Sequence, residues 1–215
     1  MARHYCQKCT KPEKACICKW LSPQANSIAV LVLQHPDEQK KAIGTAKLVT
    51  LGLINSKVLT SLQVAENEVL NILGKLSCSQ PLLIYPQSLN DEQLHYVYDF
   101  EKERFTSLPL QKAYDSIILL DGTWRNSREL LHYNTWLKQL PTLNLKNIGE
   151  SRYRIRQAKQ AGALATIEAV SKVLGLLEES FKSKKLLLPF EKMIEYQIEK
   201  MGLEVYQQNY KNNNE

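Results

Sequence analysis

Four of the five cysteines lie close to the N-terminus, in the pattern Cys6-x2-Cys9-x6-Cys16-x-Cys18. Closely spaced thiolates are typical ligands of a tetrahedral zinc ion, and four cysteines leave no open position for catalysis at the metal. Disulfides are the alternative, but a reducing compartment disfavours them, and Cys16 and Cys18 are too close to bridge each other comfortably. The pattern therefore predicts one structural Zn²⁺, whereas the isolated Cys78 is expected to be a small buried apolar residue.

A second feature with chemical potential is an apolar run that leads directly into Asp121-Gly122-Thr123. Glycine permits a tight turn, and the hydroxyl group of Thr123 can cap a helix that follows. Asp121 would then lie at the carboxyl end of a central strand, where it is placed to act as a base. The alternative is that Asp121 only forms the turn.

The residues after this turn could bind a ligand. Trp124 offers a flat apolar surface on which a nucleobase or an adenine ring could stack. Arg125 and Arg128 are three positions apart, so they point to one face of the predicted helix. A core tryptophan and two solvated arginines are the alternative interpretation.

Two flanking segments carry further candidates. His35 precedes Pro36, which favours extended geometry at a strand end, and it either contacts substrate or organises the loop. Arg152, Arg154 and Arg156 fall on one face of an extended chain, where guanidinium groups suit phosphates or a carboxylate; a solvated face is the alternative. The small residues over 162–169 allow backbone amides to approach a ligand, or allow tight helix packing.

Apolar runs of strand length alternate with helical periodicity along the chain, which predicts an α/β fold with a mostly parallel sheet and helices on both faces. Ligands collect beyond the carboxyl ends of the strands in such sheets. We predict helices over 37–53, 66–76, 125–133, 164–181 and 190–201. We predict three parts, namely a zinc knot over 1–22, an α/β catalytic domain over 23–206 and a disordered tail over 207–215.

The charge and the apolar runs suggest a partner and a compartment. The net charge is +6 and the pI about 9.0, which favours polyanions such as nucleic acid, although a protein can be basic for no such reason. The apolar runs are of strand length, so no membrane association is expected. The N-terminus has no apolar core of a signal peptide, and we expect a cytoplasmic protein.

Taken together, these motifs resemble the DTW-domain family, which is named for an Asp-x-Thr-Trp motif. Asp121, Thr123 and Trp124 supply that motif here. The other shared elements, in the family's order, are the four cysteines, His35-Pro36-x-Glu38 with Thr45, Ser151-x-Tyr153-x-x-Arg156, and Leu164-Ala165-Thr166-Ile167-Glu168-Ala169. This sequence has Ala165 where the family carries serine, and residues 91–109 match no family element.

The resemblance implies an enzyme that transfers the 3-amino-3-carboxypropyl group of S-adenosylmethionine to N3 of a tRNA uridine, giving acp3U and methylthioadenosine. It implies a fold similar to SPOUT-type methyltransferases, with a deep knot in the C-terminal part. Asp121 is the expected catalytic base. The expected S-adenosylmethionine-binding residues are Leu120, Thr123, Trp124, Arg125, Leu164, Thr166 and Glu168. The expected substrate- and RNA-binding residues are His35, Arg128, Ser151, Arg152, Tyr153, Arg154 and Arg156.

Two other functions stay open at this point. One is a SPOUT-type RNA methyltransferase, which would leave S-adenosylhomocysteine in place of methylthioadenosine. The other is a non-catalytic zinc-bearing RNA-binding protein, which would not bind S-adenosylmethionine. No obligatory protein partner is evident.

Overall fold

The sheet observed in a computed structural model is mostly parallel, as predicted. The structure describes residues 4–39, 41, 44–76, 78–107, 110, 114–149, 151–153, 155 and 164–211. The strands are β1 (Ala29–Gln34), β2 (Ser56–Thr60), β3 (Pro81–Ile84), β4 (His95–Asp99), β5 (Arg104–Phe105), β6 (Ser116–Asp121) and β7 (Thr142–Lys146). Their order is β2-β1-β6-β3-β7-β4-β5, and only the β4–β5 pair among them is antiparallel. The α/β class is confirmed.

Helices cover both faces of this sheet. They are α1 (Pro36–Gln39), α2 (Ala46–Gly52), α3 (Glu66–Lys75), α4 (Trp124–Tyr133), α5 (Thr166–Leu177), α6 (Ser183–Met201) and α7 (Leu203–Tyr206). Every residue of β1 is buried. Val30 and Val32 face a core formed with α2, α5 and α6, whereas Leu31 and Leu33 face a core formed with α3 and α4. This burial on both sides explains why β1 is continuously apolar.

Three predicted helices differ from those observed, and the one predicted over 164–181 covers only Thr166–Leu177. The segment 37–53 forms two helices, α1 and α2, with turns at Lys41 and Gly44 between them. Glycine is a poor helix former, so Gly44 disfavours a helix that runs through this position. Helix α6 begins at Ser183 and continues through Pro189. Proline removes a helical N–H, but burial of Leu186 and Phe190 stabilises this extension.

The segment 91–109, which the sequence left unassigned, contains β4 and β5. The strand pattern is hard to recognise in the sequence. In β4, Tyr96 is buried, whereas His95, Val97 and Tyr98 are only partly buried. Strand β4 pairs with β7 in parallel register from His95 to Asp99. Tertiary pairing therefore determines the structure here more than local propensity does.

The N-terminal segment packs against the main domain through α6. It forms short 3₁₀ turns over Glu13–Ala15 and Cys18–Trp20, and Ile17 lies in the same core cluster as Phe190 of α6. At the other end, Gln207–Lys211 form a π-helical turn, and residues 212–215 lie outside the described part. Among the described residues, no helix combines the length and the apolar character needed to cross a membrane.

Candidate functional site

Three neighbouring strands end in polar residues that are bonded to one another. Gln34 ends β1 and is in register with Thr60 of β2 and with Asp121 of β6. The Thr60 hydroxyl donates to Gln34 Oε1 at 3.0 Å, and Gln34 Nε2 donates to Asp121 Oδ2 at 2.8 Å. The hydrogen bond from Thr60 accounts for the orientation of the Gln34 amide, which then presents its N–H to the carboxylate.

The second oxygen of the Asp121 carboxylate is held by α5. Thr166, the first residue of this helix, donates its hydroxyl hydrogen bond to Asp121 Oδ1. Asp121 is 9% exposed. Each carboxylate oxygen can accept a further hydrogen bond, so the group is fixed in orientation and still able to accept a proton. We refer to Thr60, Gln34, Asp121 and Thr166 as the Asp121 cluster.

The turn after Asp121 is shaped by close packing. The Thr123 side chain caps α4 by accepting a hydrogen bond from Asn126 N at 3.2 Å. A Cβ atom on Gly122 would lie 2.8 Å from Asn126 Cβ and 3.6 Å from His35 Cβ. Gly122 does not have a positive φ. The requirement for glycine therefore comes from the near contact of the turn with α4, and not from backbone conformation.

His35 is buried and links the loop after β1 to this turn. Its backbone N–H donates to the Asp121 carbonyl at 3.0 Å, and Nδ1 accepts from Asp37 N at 3.2 Å. The hydrogen on the ring is therefore assigned to Nε2. Nε2 lies 3.5 Å from Glu129 Oε2 and has no hydrogen-bond partner among the described residues.

Trp124 lies at the start of α4 and stacks on Tyr85, the residue that follows β3. The two rings are 5.7 Å apart between centroids and inclined by only 8°. Trp124 is 39% exposed, whereas Tyr85 is 3% exposed. Burial raises the pKa of the Tyr85 hydroxyl, and the nearby Arg128 guanidinium partly opposes this. Arg125 and Arg128 are both exposed.

Glu168 ties the segment around Ser151 to the start of α5. This buried carboxylate accepts from Ser151 Oγ at 2.5 Å, from Arg152 N at 2.6 Å and from Ala165 N at 2.9 Å. Ala165 is the N-cap residue of α5 and has no side-chain acceptor of its own. The two segments are thus fixed together close to Thr166, and hence close to Asp121.

The remaining predicted residues fall into different surroundings. The Arg152 guanidinium forms an ion pair with Glu191 of α6. The Tyr153 ring is buried edge-to-face against Phe190, with 5.1 Å between centroids. Leu120 and Leu164 are half-buried. Arg154 and Arg156 lie outside the described residues.

The four N-terminal cysteines converge on one point. We refer to Cys6, Cys9, Cys16 and Cys18 as the cysteine cluster; their Sγ atoms all lie within 4.8 Å of one another. Cys6 and Cys18 are 3.6 Å apart, and Cys9 and Cys16 are 3.8 Å apart, between Sγ atoms. Zn–S bonds of about 2.3 Å require tetrahedral sulfur–sulfur edges of about 3.8 Å. The cluster therefore fits a zinc ion.

The acidity of the thiols is uneven. Hydrogen bonds from the backbone N–H groups of Cys9 and Lys8 lower the pKa of Cys6 to about 6. Burial and the neighbouring thiols raise the pKa of Cys18 to about 12. A thiolate therefore forms readily at Cys6, while Cys18 requires a cation nearby to ionise at neutral pH.

Several residues of the site were missed from the sequence. Gln34 and Thr60 end strands, Tyr85 follows one, and Glu129 lies on α4 near His35. A usable signal was present for Gln34, because it is a polar residue that closes an apolar run. The mutual contacts of these residues depend on strand order, which the sequence pattern does not define.

The fold and these clusters define an α/β protein with a polar site at the carboxyl edge of a parallel sheet and a cluster of four cysteines that could hold a metal ion. Residues 3–198 match the family described as the DTW domain. The chain belongs to the DTW-domain family.

Named relatives match the chain at low identity. The chain is 28% identical over 214 residues to tRNA-uridine aminocarboxypropyltransferase 2 of Drosophila melanogaster, covering 94% of this chain and 78% of that protein. It is 25% identical to the protein of the same name in Macaca fascicularis, covering 92% and 64% respectively. It is 20% identical to tRNA-uridine aminocarboxypropyltransferase A of Arabidopsis thaliana, covering 91% and 81%. No solved structure matches the chain.

Proposed function

We propose that this protein transfers the 3-amino-3-carboxypropyl group of S-adenosylmethionine to N3 of a uridine in tRNA. The observation that carries the proposal is the oriented Asp121 carboxylate at the carboxyl edge of the sheet, held by Gln34 and Thr166. Family membership and the names of the relatives support the same reaction class.

The reaction needs a proton acceptor and close alignment of two reactants. A bond forms between uridine N3 and the γ-carbon of the aminocarboxypropyl group, while the bond from that carbon to sulfur breaks. The N3 proton leaves, and the sulfonium becomes the neutral thioether of methylthioadenosine. S-adenosylmethionine supplies its own leaving-group activation, so the protein mainly aligns the reactants.

Asp121 is the proposed acceptor of the N3 proton. The two donors that hold its oxygens fix the carboxylate plane, so a uracil entering at the sheet edge meets a preoriented base. The backbone N–H of His35 bonds the Asp121 carbonyl, which fixes the main chain as well. Neither Gln34 nor Thr166 needs to contact the substrate for this effect.

We also propose which ligand each of the remaining predicted residues binds. We assign to S-adenosylmethionine the residues that surround the start of α5 or the turn into α4, namely Leu120, Thr123, Arg125, Leu164, Thr166 and Glu168. The residues that we assign to substrate and RNA are His35, Arg128, Ser151, Arg152, Tyr153, Arg154 and Arg156. Arg125 or Arg156 is proposed to hold the aminocarboxypropyl carboxylate, because a guanidinium binds a carboxylate through two N–H groups.

We also propose a role for the cysteine cluster, a fold type for the larger domain and a cellular compartment. The cysteine cluster is proposed to hold structural Zn²⁺ within a small N-terminal part, residues 1–22. The domain over 23–206 is proposed to be SPOUT-like, with a knot in its C-terminal part, and the protein is proposed to be cytoplasmic.

The experiment combines tRNA, S-adenosylmethionine and purified protein, followed by mass spectrometry of nucleosides and of the small-molecule product. We expect acp3U together with an equal amount of methylthioadenosine. Methylated nucleosides with S-adenosylhomocysteine would identify a methyltransferase. Binding of tRNA with no consumption of S-adenosylmethionine would identify an RNA-binding protein without this activity.

A further inference from the structure

Tyr85 has no part in the reaction proposed above, but its ring stacks against the ring of Trp124. The Tyr85 and Trp124 rings are nearly parallel, at 8°, with centroids 5.7 Å apart. This is the geometry of an offset stack. We propose that Tyr85 is a positioning residue that holds the Trp124 ring as a stacking platform for a nucleobase of RNA. The inference depends on the proposed function only in that RNA is the ligand.

The exposure of the two rings supports a platform. Tyr85 is 3% exposed and is fixed within the core, whereas Trp124 remains 39% exposed. A parallel ring beneath one face of an indole restricts its rotamers and leaves its other face available. A planar group that stacks there loses less conformational entropy on binding than it would against a mobile side chain, and base–aromatic stacking tolerates any base.

The charges beside the platform favour RNA over the adenine of S-adenosylmethionine. Arg128 is four residues beyond Trp124 on α4, so both side chains lie on the same face of the helix. Arg128 is also close enough to Tyr85 for its charge to lower the pKa of the Tyr85 hydroxyl. Arg128 is exposed. Its guanidinium group suits the phosphates that accompany an RNA base, whereas S-adenosylmethionine carries a cationic sulfonium and no phosphate.

The Tyr85 hydroxyl permits the ring to be tested separately. This hydroxyl is buried and has no hydrogen-bond partner among the described residues. Tyr85→Phe keeps the stacked ring and removes only the oxygen. Tyr85→Leu removes the ring. Tyr206→Leu is a matched control, because Tyr206 is 6% exposed and stacks on Tyr210 with centroids 5.9 Å apart.

The experiment measures the equilibrium Kd for tRNA without S-adenosylmethionine, the Kd for S-adenosylmethionine alone, and the melting temperature. We expect Trp124→Ala to weaken tRNA binding by about 5- to 100-fold, the effect of one lost base stack. We expect Tyr85→Leu to weaken it by about 2- to 10-fold, the usual contribution of an aromatic pair. Tyr85→Phe and Tyr206→Leu should bind tRNA as the unchanged protein does.

A double variant separates positioning from loss of structure. In the Trp124→Ala background, Tyr85→Leu should cause no further loss of tRNA affinity, because Tyr85 acts through Trp124. Additive losses, or losses that follow the melting temperature in Tyr206→Leu as well, would overturn the proposal. A weaker Kd for S-adenosylmethionine with an unchanged Kd for tRNA would assign the platform to adenine instead and overturn it equally. None of these outcomes depends on whether acp3U is formed.

Discussion

The side chains of the Asp121 cluster and those of the cysteine cluster are positioned by different kinds of local structure. Asp121 is positioned by parallel strand register and by side-chain donors from β1 and α5. The cysteines lie on turns and short 3₁₀ segments, outside the sheet. The comparison indicates that the first site is stabilised by the fold, whereas we expect the second to depend on a bound metal ion.

Metal removal should give the largest effect and test this contrast directly. Zinc binding supplies about 10–16 kcal/mol in comparable small sites, so chelation, or the double change Cys9→Ser and Cys16→Ser, should unfold the N-terminal segment. The sheet should keep its far-UV circular dichroism and its hydrogen-exchange protection. Metal analysis should give one zinc per chain, retained in Cys78→Ala. An intact N-terminal segment in the zinc-free protein would contradict the comparison.

Asp121→Asn should lower the single-turnover rate by about 10²–10⁴-fold, the usual contribution of a positioned base. The amide keeps the shape, so the melting temperature and the Kd values for tRNA and S-adenosylmethionine should change little. Asp115→Asn is the matched control, because Asp115 precedes the same strand at its opposite end and binds Ser79 N and Gln80 N. Near-normal chemistry in Asp121→Asn at saturating substrate would end the assignment of a base.

Gly122→Ala should lower the free energy of unfolding by about 1–3 kcal/mol, as overpacking usually does. The added Cβ would meet Asn126 Cβ at 2.8 Å. Gly74→Ala in α3 meets no atom within 4 Å and should stabilise the helix by about 0.5–1 kcal/mol. Urea unfolding of both variants gives the comparison. Equal stabilities would show that the turn adjusts without cost.

RNA affinity should fall with added salt, and part of that slope should come from the N-terminal segment. The double change Lys8→Gln and Lys14→Gln should reduce the slope of log K against log salt by about 2. Lys57→Gln with Lys75→Gln, on exposed positions of β2 and α3, should leave the slope unchanged. Titrations at several salt concentrations measure this slope. The same slope in the Lys8→Gln, Lys14→Gln variant and in the unchanged protein would restrict RNA contact to the carboxyl edge of the sheet.

The smallest effect concerns pH and the opposite end of β6. Burial raises the pKa of Asp115, but hydrogen bonds from Ser79 and Gln80 outweigh it, and the pKa is lowered overall. A lowered pKa stabilises the folded state fully above the unfolded value of about 3.9, and this stabilisation is lost as the pH falls through the folded value. The difference in melting temperature between the unchanged protein and Asp115→Asn should therefore shrink below about pH 4. A difference independent of pH would contradict this.

The features that were predicted correctly from the sequence are those that depend on local sequence pattern. The apolar runs of β1 and β6 and the cap at Thr123 lie where they were expected. The α/β class was confirmed, and the four cysteine thiols are close enough to hold one metal ion, as the spacing suggested. These features depend on residues that are neighbours in the chain.

The partners of Asp121 could not be predicted in this way. Gln34 and Asp121 are 87 positions apart, and Thr166 and Asp121 are 45 apart. Their contacts follow from β6 lying beside β1 and from the position of α5, and hydrophobic periodicity is compatible with several strand orders. The Tyr85–Trp124 stack was missed for the same reason.

The position of β6 between β1 and β3 has a consequence for the order of folding. β1, β2 and β3 all leave the ribosome before β6, so the central place in the sheet is filled by a strand made later. Pairings across such long chain separations form slowly, and the apolar edges of β1 and β3 are exposed to aggregation until then. The Asp121 cluster is completed only after Thr166 has been synthesised, although all seven strands of the sheet precede Thr166 in the chain.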